Sequence, residues 1–347
     1  MDRLALVAIF LAVPGFSADW NPRLTADYMD ARQKAWFAWP AARGSGAPCM
    51  SCHTGMTYML VRPQLRQALG EEQPTEYEQG YSRILRSRAG APAPSEAARM
   101  DGFGTDTVLR AFLLAVEDGG KLSAETMQAF DSLWAAQKPD GGWPWYSLND
   151  DPWEMPESRF FGASIAALAA GAAPAEYRAK PEVRDHIEKL TAFLNHDDGQ
   201  PLHNRMMLLW ASAKLPEVLP AARRKAILDQ VRQAQQADGG WTMASLGPFQ
   251  PKPEAPVSSG SNGYATAFTA FALEQAGLTS SDATLSRALA WLRSHQDAGG
   301  FWDATSMNKK YEAGSMMELF MRDAATGYAA MALLNAGETR VDRSTRP

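Results

Sequence analysis

Apolar positions along this chain recur in blocks of helical length, and the blocks come in pairs. Helical stretches at 124–136, 182–194, 223–234 and 283–294 each precede a second, more apolar segment, at 160–171, 203–215, 264–277 and 324–337. The second segments are rich in Ala, Leu and Gly, a composition suited to close helix packing. Two more pairs can be read upstream, 25–38 with 56–69 and 75–88 with 106–116. Six helical hairpins whose second helices face one axis close into an α6/α6 toroid, which has no open end to cap. The expected class is therefore all-α, with an open solenoid as the alternative.

A short motif marks the corner of three hairpins. It reads Gln137-Lys-Pro-Asp-Gly-Gly-Trp143, Gln235-Gln-Ala-Asp-Gly-Gly-Trp241 and His295-Gln-Asp-Ala-Gly-Gly-Phe-Trp302, with a degraded copy at Asn195-His-Asp-Asp-Gly-Gln200. Asp-Gly-Gly supplies the positive φ that ends a helix tightly. The aromatic residue covers the helix end, and the Gln hydrogen-bonds backbone groups exposed there. Long connections follow at 143–157, 246–262 and 303–321. Structureless segments of that length in a compact domain carry function or move, and in a toroid these would share one rim.

The repeated Gln…Asp-Gly-Gly-Trp motif with Ala-rich partner helices resembles the repeats of the terpenoid cyclase and protein prenyltransferase superfamily, squalene–hopene cyclases in particular. The resemblance covers about residues 57–337. It implies a toroid with a lipophilic central cavity. The cyclases' Asp-x-Asp-Asp proton donor is missing, since Asn149-Asp-Asp151 and Asp197-Asp198 lack its spacing. The zinc ligands of the prenyltransferases are missing too, because both cysteines lie upstream of the repeats.

Those two cysteines stand in Cys49-Met-Ser-Cys52-His53. Cys-x-x-Cys-His is an attachment sequence for c-type haem: two thioethers hold the porphyrin and the next residue, His53, ligates the iron. A dithiol oxidoreductase would want a βαβ context, and zinc would want a fourth ligand. The expectation is one covalent haem c, with Cys49 and Cys52 binding the cofactor and His53 the metal. Trp36-Phe-Ala-Trp39 just upstream is expected to pack on the porphyrin. The sixth ligand stays open among Met50, Met56, Met59, Met307, Met316, Met317, Met321, His196 and His203.

Residues 1–18 carry a ten-residue apolar run, Leu4 to Val13, followed by Ser17 and Ala18. The run is too short to span a bilayer and fits a signal peptide, so a periplasmic or otherwise exported protein is expected. The domain reading is 1–18 signal peptide, 19–74 a first hairpin bearing the haem loop, and 75–340 the remaining toroid repeats packed with it as one domain. A formal net charge of −5 and the lack of a basic run exclude a nucleic-acid partner. No later run is long enough for a transmembrane helix, leaving peripheral membrane contact.

Acids at the starts of the inner helices are the candidate catalytic groups: Asp106, Glu157 and Asp323, with Asn262 at the matching place in a fourth repeat. Helix capping explains such residues equally well. The function expected from haem and toroid together is redox or electron-transfer chemistry on or near an isoprenoid- or hopanoid-like lipid, with a redox protein as partner. A cyclase-like enzyme with a structural haem and a non-catalytic haem module are the alternatives. A six-hairpin glycosidase would need two carboxylates across a cleft, and Glu154 with Glu157 is too local a pair for that.

Overall fold

The structure, a computed structural model, describes residues 20–337 except 44–46, 197–198, 250–251 and 257–258. The signal-peptide segment 1–18 and Asp197-Asp198 lie outside the described residues. Among the described residues, twelve helices of eleven residues or more form six hairpins in chain order. They are α1 (Pro22–Ala38), α2 (Gly55–Leu69), α3 (Glu76–Ser87), α4 (Met100–Glu117), α5 (Ala124–Ala136), α6 (Ser158–Ala172), α7 (Pro181–Asn195), α8 (Leu202–Ser212), α9 (Ala221–Ala234), α10 (Gly263–Gln275), α11 (Ala283–Ser294) and α12 (Phe320–Asn335). No strand occurs among the described residues, only an isolated bridge between Asp150 and Glu154.

Even-numbered helices form the inner ring. In α6 every residue from Phe160 to Ala170 is buried, whereas the outer helix α9 buries only Ile227, Leu228 and Val231. A helix apolar all round belongs inside; one with a narrow stripe belongs outside. Helix starts are fixed by side-chain caps on the outer ring. Asn21 accepts from Arg23 and Leu24 at the start of α1, Thr75 and Glu78 make a reciprocal capping box on α3, and Asp282 caps α11. The ring closes where α12 meets α2. A Cβ on Gly327 would come within 2.5 Å of the Thr57 Cβ, so only glycine permits that approach.

The corner motif is a staple to the next hairpin. Gln137 Nε2 donates to Gly141 O and to His186 O on α7, both at 3.0 Å. Gln235 Nε2 does the same to Gly239 O (2.8 Å) and to Thr284 O on α11 (2.9 Å). Each tryptophan indole returns to its own outer helix: Trp143 to Leu133 O, Trp241 to Val231 O and Trp302 to Leu292 O. The third copy is in a different register from the one its Gly-Gly suggests. The residue with positive φ is Gly300, matching Gly141 and Gly239, and Phe301 takes the place of the second glycine. Three-dimensional equivalence follows the Gln and the Trp, because these make the conserved bonds.

The axis is filled, contrary to the lipophilic cavity expected. Tyr264, Phe268, Phe271, Tyr328, Trp210 and His203, all buried, meet ring to ring there. Phe268 lies 4.9 Å from Tyr328, Trp210 4.8 Å from Phe271 and His203 5.0 Å from Phe268 between centroids. Small Ala and Gly side chains let the inner helices approach closely, and the large rings they carry occupy what would otherwise be a channel.

Candidate functional site

The rim formed by the long connections and the loop before α2 gathers the titratable groups. The connections are tied to one another. Lys252 Nζ pairs with Asp150 at 2.9 Å, and Asn308 exchanges two hydrogen bonds with the backbone of Asp151, at 2.9 and 3.1 Å. Trp145 and Trp153 are buried beneath them, the first donating to Trp153 O and the second to the Tyr264 hydroxyl. Tyr146 stays exposed at the surface. Of Trp143, Trp145, Tyr146 and Trp153, Trp143 serves the corner and Tyr146 faces solvent.

Glu154 sits in this rim, half-buried, and its carboxyl makes no hydrogen bond or ion pair among the described residues. Burial pushes it up to about 7, and the negative charge of Asp150 adds to the effect. Asp106 is on α4, ion-paired with Arg110 Nη1 at 2.7 Å and with Arg88 Nη1 at 3.9 Å. Both acids act on the same thiol. Burial, then Asp106, pushes Cys49 up to about 11, with Glu154 contributing less. Tyr146 feels Cys49, Glu154 and Asp106 together. The rim thus juxtaposes a partnerless, neutral-leaning carboxyl and a salt-bridged one from two different repeats, an arrangement suited to acid–base chemistry.

The Cys49–His53 segment leads into α2 and is pinned on every side. Cys49 keeps contact with solvent although protein atoms crowd around it and partly desolvate its thiol; Cys52 and His53 are buried, and burial pushes the Cys52 thiol well up. Ser51 Oγ accepts from the backbone N–H of Thr54 and Gly55, and Thr57 Oγ1 donates to His53 O. The His53 ring stacks on Phe320 at 3.9 Å and meets Trp36 edge-on at 5.6 Å. Trp36 Nε1 donates to Cys49 O. Burial, followed by the Arg32 charge, lowers the imidazole to about 3, so it is neutral at ordinary pH.

The three acids predicted at inner-helix starts are not brought into one ring. Helix α4 begins at Met100, so Asp106 lies well inside it and binds Arg110 one turn on rather than capping. Glu157 is exposed at the start of α6 and makes no side-chain cap. Asp323 is buried and held by Arg32, Tyr28 and Thr54. Asn262 is a true cap, accepting from Tyr264 N and Ala265 N. His203, a candidate sixth ligand, has both ring nitrogens engaged, by Asn204 at 3.0 Å and Tyr264 at 2.8 Å. Among the described residues no group of three or more His, Cys, Asp and Glu side chains is placed to hold a metal ion. No described helix is long and apolar enough to cross a membrane.

Sequence reasoning did not single out Thr54, Arg32 and Tyr28. It weighed Glu154 only against Glu157 and set that pair aside as too local; Asp106 lies 48 positions before Glu154.

Glycosidases are among the solved structures that share this fold. One described as a wild-type glycosidase superposes with a TM-score of 0.52 at 14% identity, covering 91% of this chain and 96% of its own. Another, from Salmonella enterica serovar Paratyphi A and described as a possible member of the GH105 family, gives 0.53 at 13% identity over 91% and 94%. No protein-family model matches the chain, and no curated protein matches it. At such identities the likeness shows the α/α toroid fold. It corrects the resemblance to terpenoid cyclases and prenyltransferases, since the structures it matches are glycosidases; in this chain the Gln…Gly-Trp staple serves to join hairpins in a ring. The expected redox or electron-transfer function on an isoprenoid- or hopanoid-like lipid is corrected with it, as are its cyclase-like and haem-module alternatives. The neighbours are glycosidases, and the axis that was to hold the lipid is packed with side chains.

Proposed function

We propose that this chain is a glycoside-cleaving hydrolase in which Glu154 donates a proton to the leaving oxygen and Asp106 is its carboxylate partner. One observation carries the reading: a half-buried carboxyl without partners, pushed up to about 7, stands on the connection whose Tyr146 N–H donates to Thr105 Oγ1, the neighbour in sequence of an Asp106 carboxylate ion-paired with two guanidinium groups. Paired carboxyls in contrasting surroundings divide into an acid and its partner. The fold neighbours are glycosidases, which supports the same class of substrate, and the exposed Tyr146 on the same connection as Glu154 offers a ring for a sugar to stack on.

The test is hydrolysis of a panel of chromogenic glycosides and uronides. Activity is expected to fall as pH rises through about 7, where Glu154 loses its proton. Glu154→Gln and Asp106→Asn should each lower turnover by roughly 10²–10⁴-fold without loss of helical circular dichroism. Folded protein that turns over nothing in the panel sinks the reading.

A covalent haem c on Cys49 and Cys52, with His53 as axial ligand, is a second and separate proposal, and an exported location goes with it. The specific observation in its favour is that His53 is buried and neutral, with its ring held between aromatic side chains beside two free thiols. Trp36, expected to pack on the porphyrin, touches both His53 and the backbone of Cys49. When bound, the group would supply an iron centre. Mass spectrometry and a pyridine haemochrome spectrum after expression with c-haem maturation, with Cys49→Ala as control, separate the two readings.

A further inference from the structure

A continuous line of buried hydrogen bonds runs from the first helix through the last and back to the Cys49–His53 loop. Arg32, on α1, donates from Nε to Asp323 Oδ1 at 2.7 Å and from Nη2 to Oδ2 at 3.0 Å. Tyr28 donates its hydroxyl to Oδ1 at 2.9 Å, and Thr54 donates its hydroxyl to Oδ2 at 2.7 Å. His53 Nδ1 lies 2.7 Å from Thr54 Oγ1. Burial raises the Asp323 carboxyl, opposed by Arg32 and by the Thr54 and Tyr28 hydroxyls. With four donors aimed at its two oxygens it acts as an acceptor only.

The direction of every proton in this line then follows. A threonine hydroxyl has one hydrogen, and here it points at Asp323. Thr54 Oγ1 therefore has only lone pairs to offer His53, so Nδ1 carries the ring hydrogen and Nε2 is left with its lone pair. The Thr54 backbone is fixed as well, its carbonyl accepting from Gln33 Nε2 at 3.1 Å and its N–H held by Ser51. Orienting a histidine through its far nitrogen, with a carboxylate behind, is how metal-binding imidazoles are held in one tautomer and made better donors.

We propose that Asp323 and Thr54 are positioning residues that fix His53 as its Nδ1–H tautomer and so present the Nε2 lone pair to the iron of a porphyrin tethered at Cys49 and Cys52. The inference rests on the haem-attachment reading above. A porphyrin iron takes four nitrogens from the macrocycle and needs one side chain, so a three-residue cluster is not required of the protein. Attachment needs no oxidant. Each free thiol adds across a vinyl group: the C–S bond forms, the vinyl π bond breaks, and the thiol proton ends on the neighbouring carbon.

The same hydrogen bonds also close the toroid, and the experiment separates the two roles. In the full-length protein made without haem maturation, long-range ¹H–¹⁵N correlation of the histidine rings should place the hydrogen of His53 on Nδ1. Thr54→Ser should preserve that pattern; Thr54→Val, of nearly the same shape, should lose it while helical circular dichroism is kept. In protein made with maturation, Thr54→Val should retain covalent haem by mass but move the midpoint potential upward, because the imidazole has lost the acceptor that makes it electron-rich; Thr54→Ser should restore it. A wild-type His53 protonated on Nε2, or a Thr54→Val protein with unaltered tautomer and potential, overturns the positioning role. A wild-type protein that takes up no haem overturns the attachment reading and removes iron as the recipient, whatever the tautomer.

Discussion

Gln296 and Asn21, 275 positions apart, are joined by two hydrogen bonds: Gln296 Oε1 accepts from Asn21 N at 2.6 Å, and Gln296 Nε2 donates to Asn21 O at 3.0 Å. Gln296 Nε2 also reaches Thr25 Oγ1 at 2.8 Å. This is the third corner staple, and its target is the first helix of the chain, so the staple that links neighbours elsewhere here joins the last hairpin to the first. Gln296→Ala hands the exposed backbone groups of the α1 cap to water and should cost about 0.5–1.5 kcal/mol. Gln235→Ala removes an equivalent staple between consecutive hairpins. Urea titrations of the two variants are expected to show a lowered m-value only for Gln296→Ala, through fraying of α1 before global unfolding. Equal m-values would mean that closure does not depend on this residue.

The corner glycines separate two costs of adding a side chain. Gly300 has φ +88° and a Cβ there would lie 2.2 Å from Leu24 O; Gly70 has φ +69° with open space around it. Gly70→Ala should therefore cost only the left-handed backbone, about 1 kcal/mol. Gly300→Ala must also displace α1 and should cost several kcal/mol. Thermal melts of both variants check this, and similar losses would contradict the close approach of the corner to α1.

The six hairpins were legible because each carries its own local signal: a helical stretch, a breaker and an apolar small-residue helix. Their closure into a ring was legible from the repeat count. The register of the third corner was not, since Gly299-Gly300-Phe301 aligns by eye on its paired glycines, whereas the fold aligns it on Gln296 and Trp302. The filled axis was also hidden. Tyr264, Phe268 and Tyr328 read as ordinary apolar positions, and only the approach of α10 to α12 makes their rings meet. The site was least legible of all. The segment Cys49–His53 stands out, but Asp323 reaches Thr54 across 269 positions, and Glu154 and Asp106 belong to different hairpins. Ionisation is set by such distant neighbours, which spacing along the chain does not reveal.

Two buried groups should give stability opposite slopes with pH. Glu154 titrates near 7 in the folded chain against 4.5 as a free side chain, so the folded state holds a proton that the unfolded state has lost between those values. Its contribution is full below about 4.5 and declines as pH rises to about 7. His203 is lowered from 6.5 to about 4 by burial, so its contribution is full above 6.5 and declines as pH falls towards 4. Between about 4.5 and 6.5 the two slopes oppose and largely cancel, so denaturant unfolding from roughly pH 4 to pH 8 is expected to show a flat region there, with stability falling below it and again between about 6.5 and 7. Glu154→Gln should remove the loss on the alkaline side, and His203→Gln the loss on the acid side. A Glu154→Gln protein whose stability stays as flat as the parent's between about pH 4.5 and 6.5, instead of rising with pH, would place that carboxyl in water.

Two tyrosines on the axis should respond in opposite ways to the same deletion. The Tyr264 hydroxyl accepts from Trp153 Nε1 at 3.0 Å and donates to His203 Nε2 at 2.8 Å, all three groups buried. Tyr264→Phe strands an indole N–H and an imidazole nitrogen, and should cost about 2–4 kcal/mol. The Tyr328 hydroxyl is equally buried but has no hydrogen-bond partner among the described residues. Tyr328→Phe removes an unsatisfied polar atom without touching the ring contacts to Phe268 and Phe271, and should leave stability unchanged or raise it by about 1 kcal/mol. Tyr328→Phe also reports on what lies beside that hydroxyl, since Cys52 acts on it electrostatically. A loss comparable to that of Tyr264→Phe would mean that Tyr328 hydrogen-bonds a group bound at the Cys49–His53 segment, and protein with and without haem maturation would then differ in its response to the substitution.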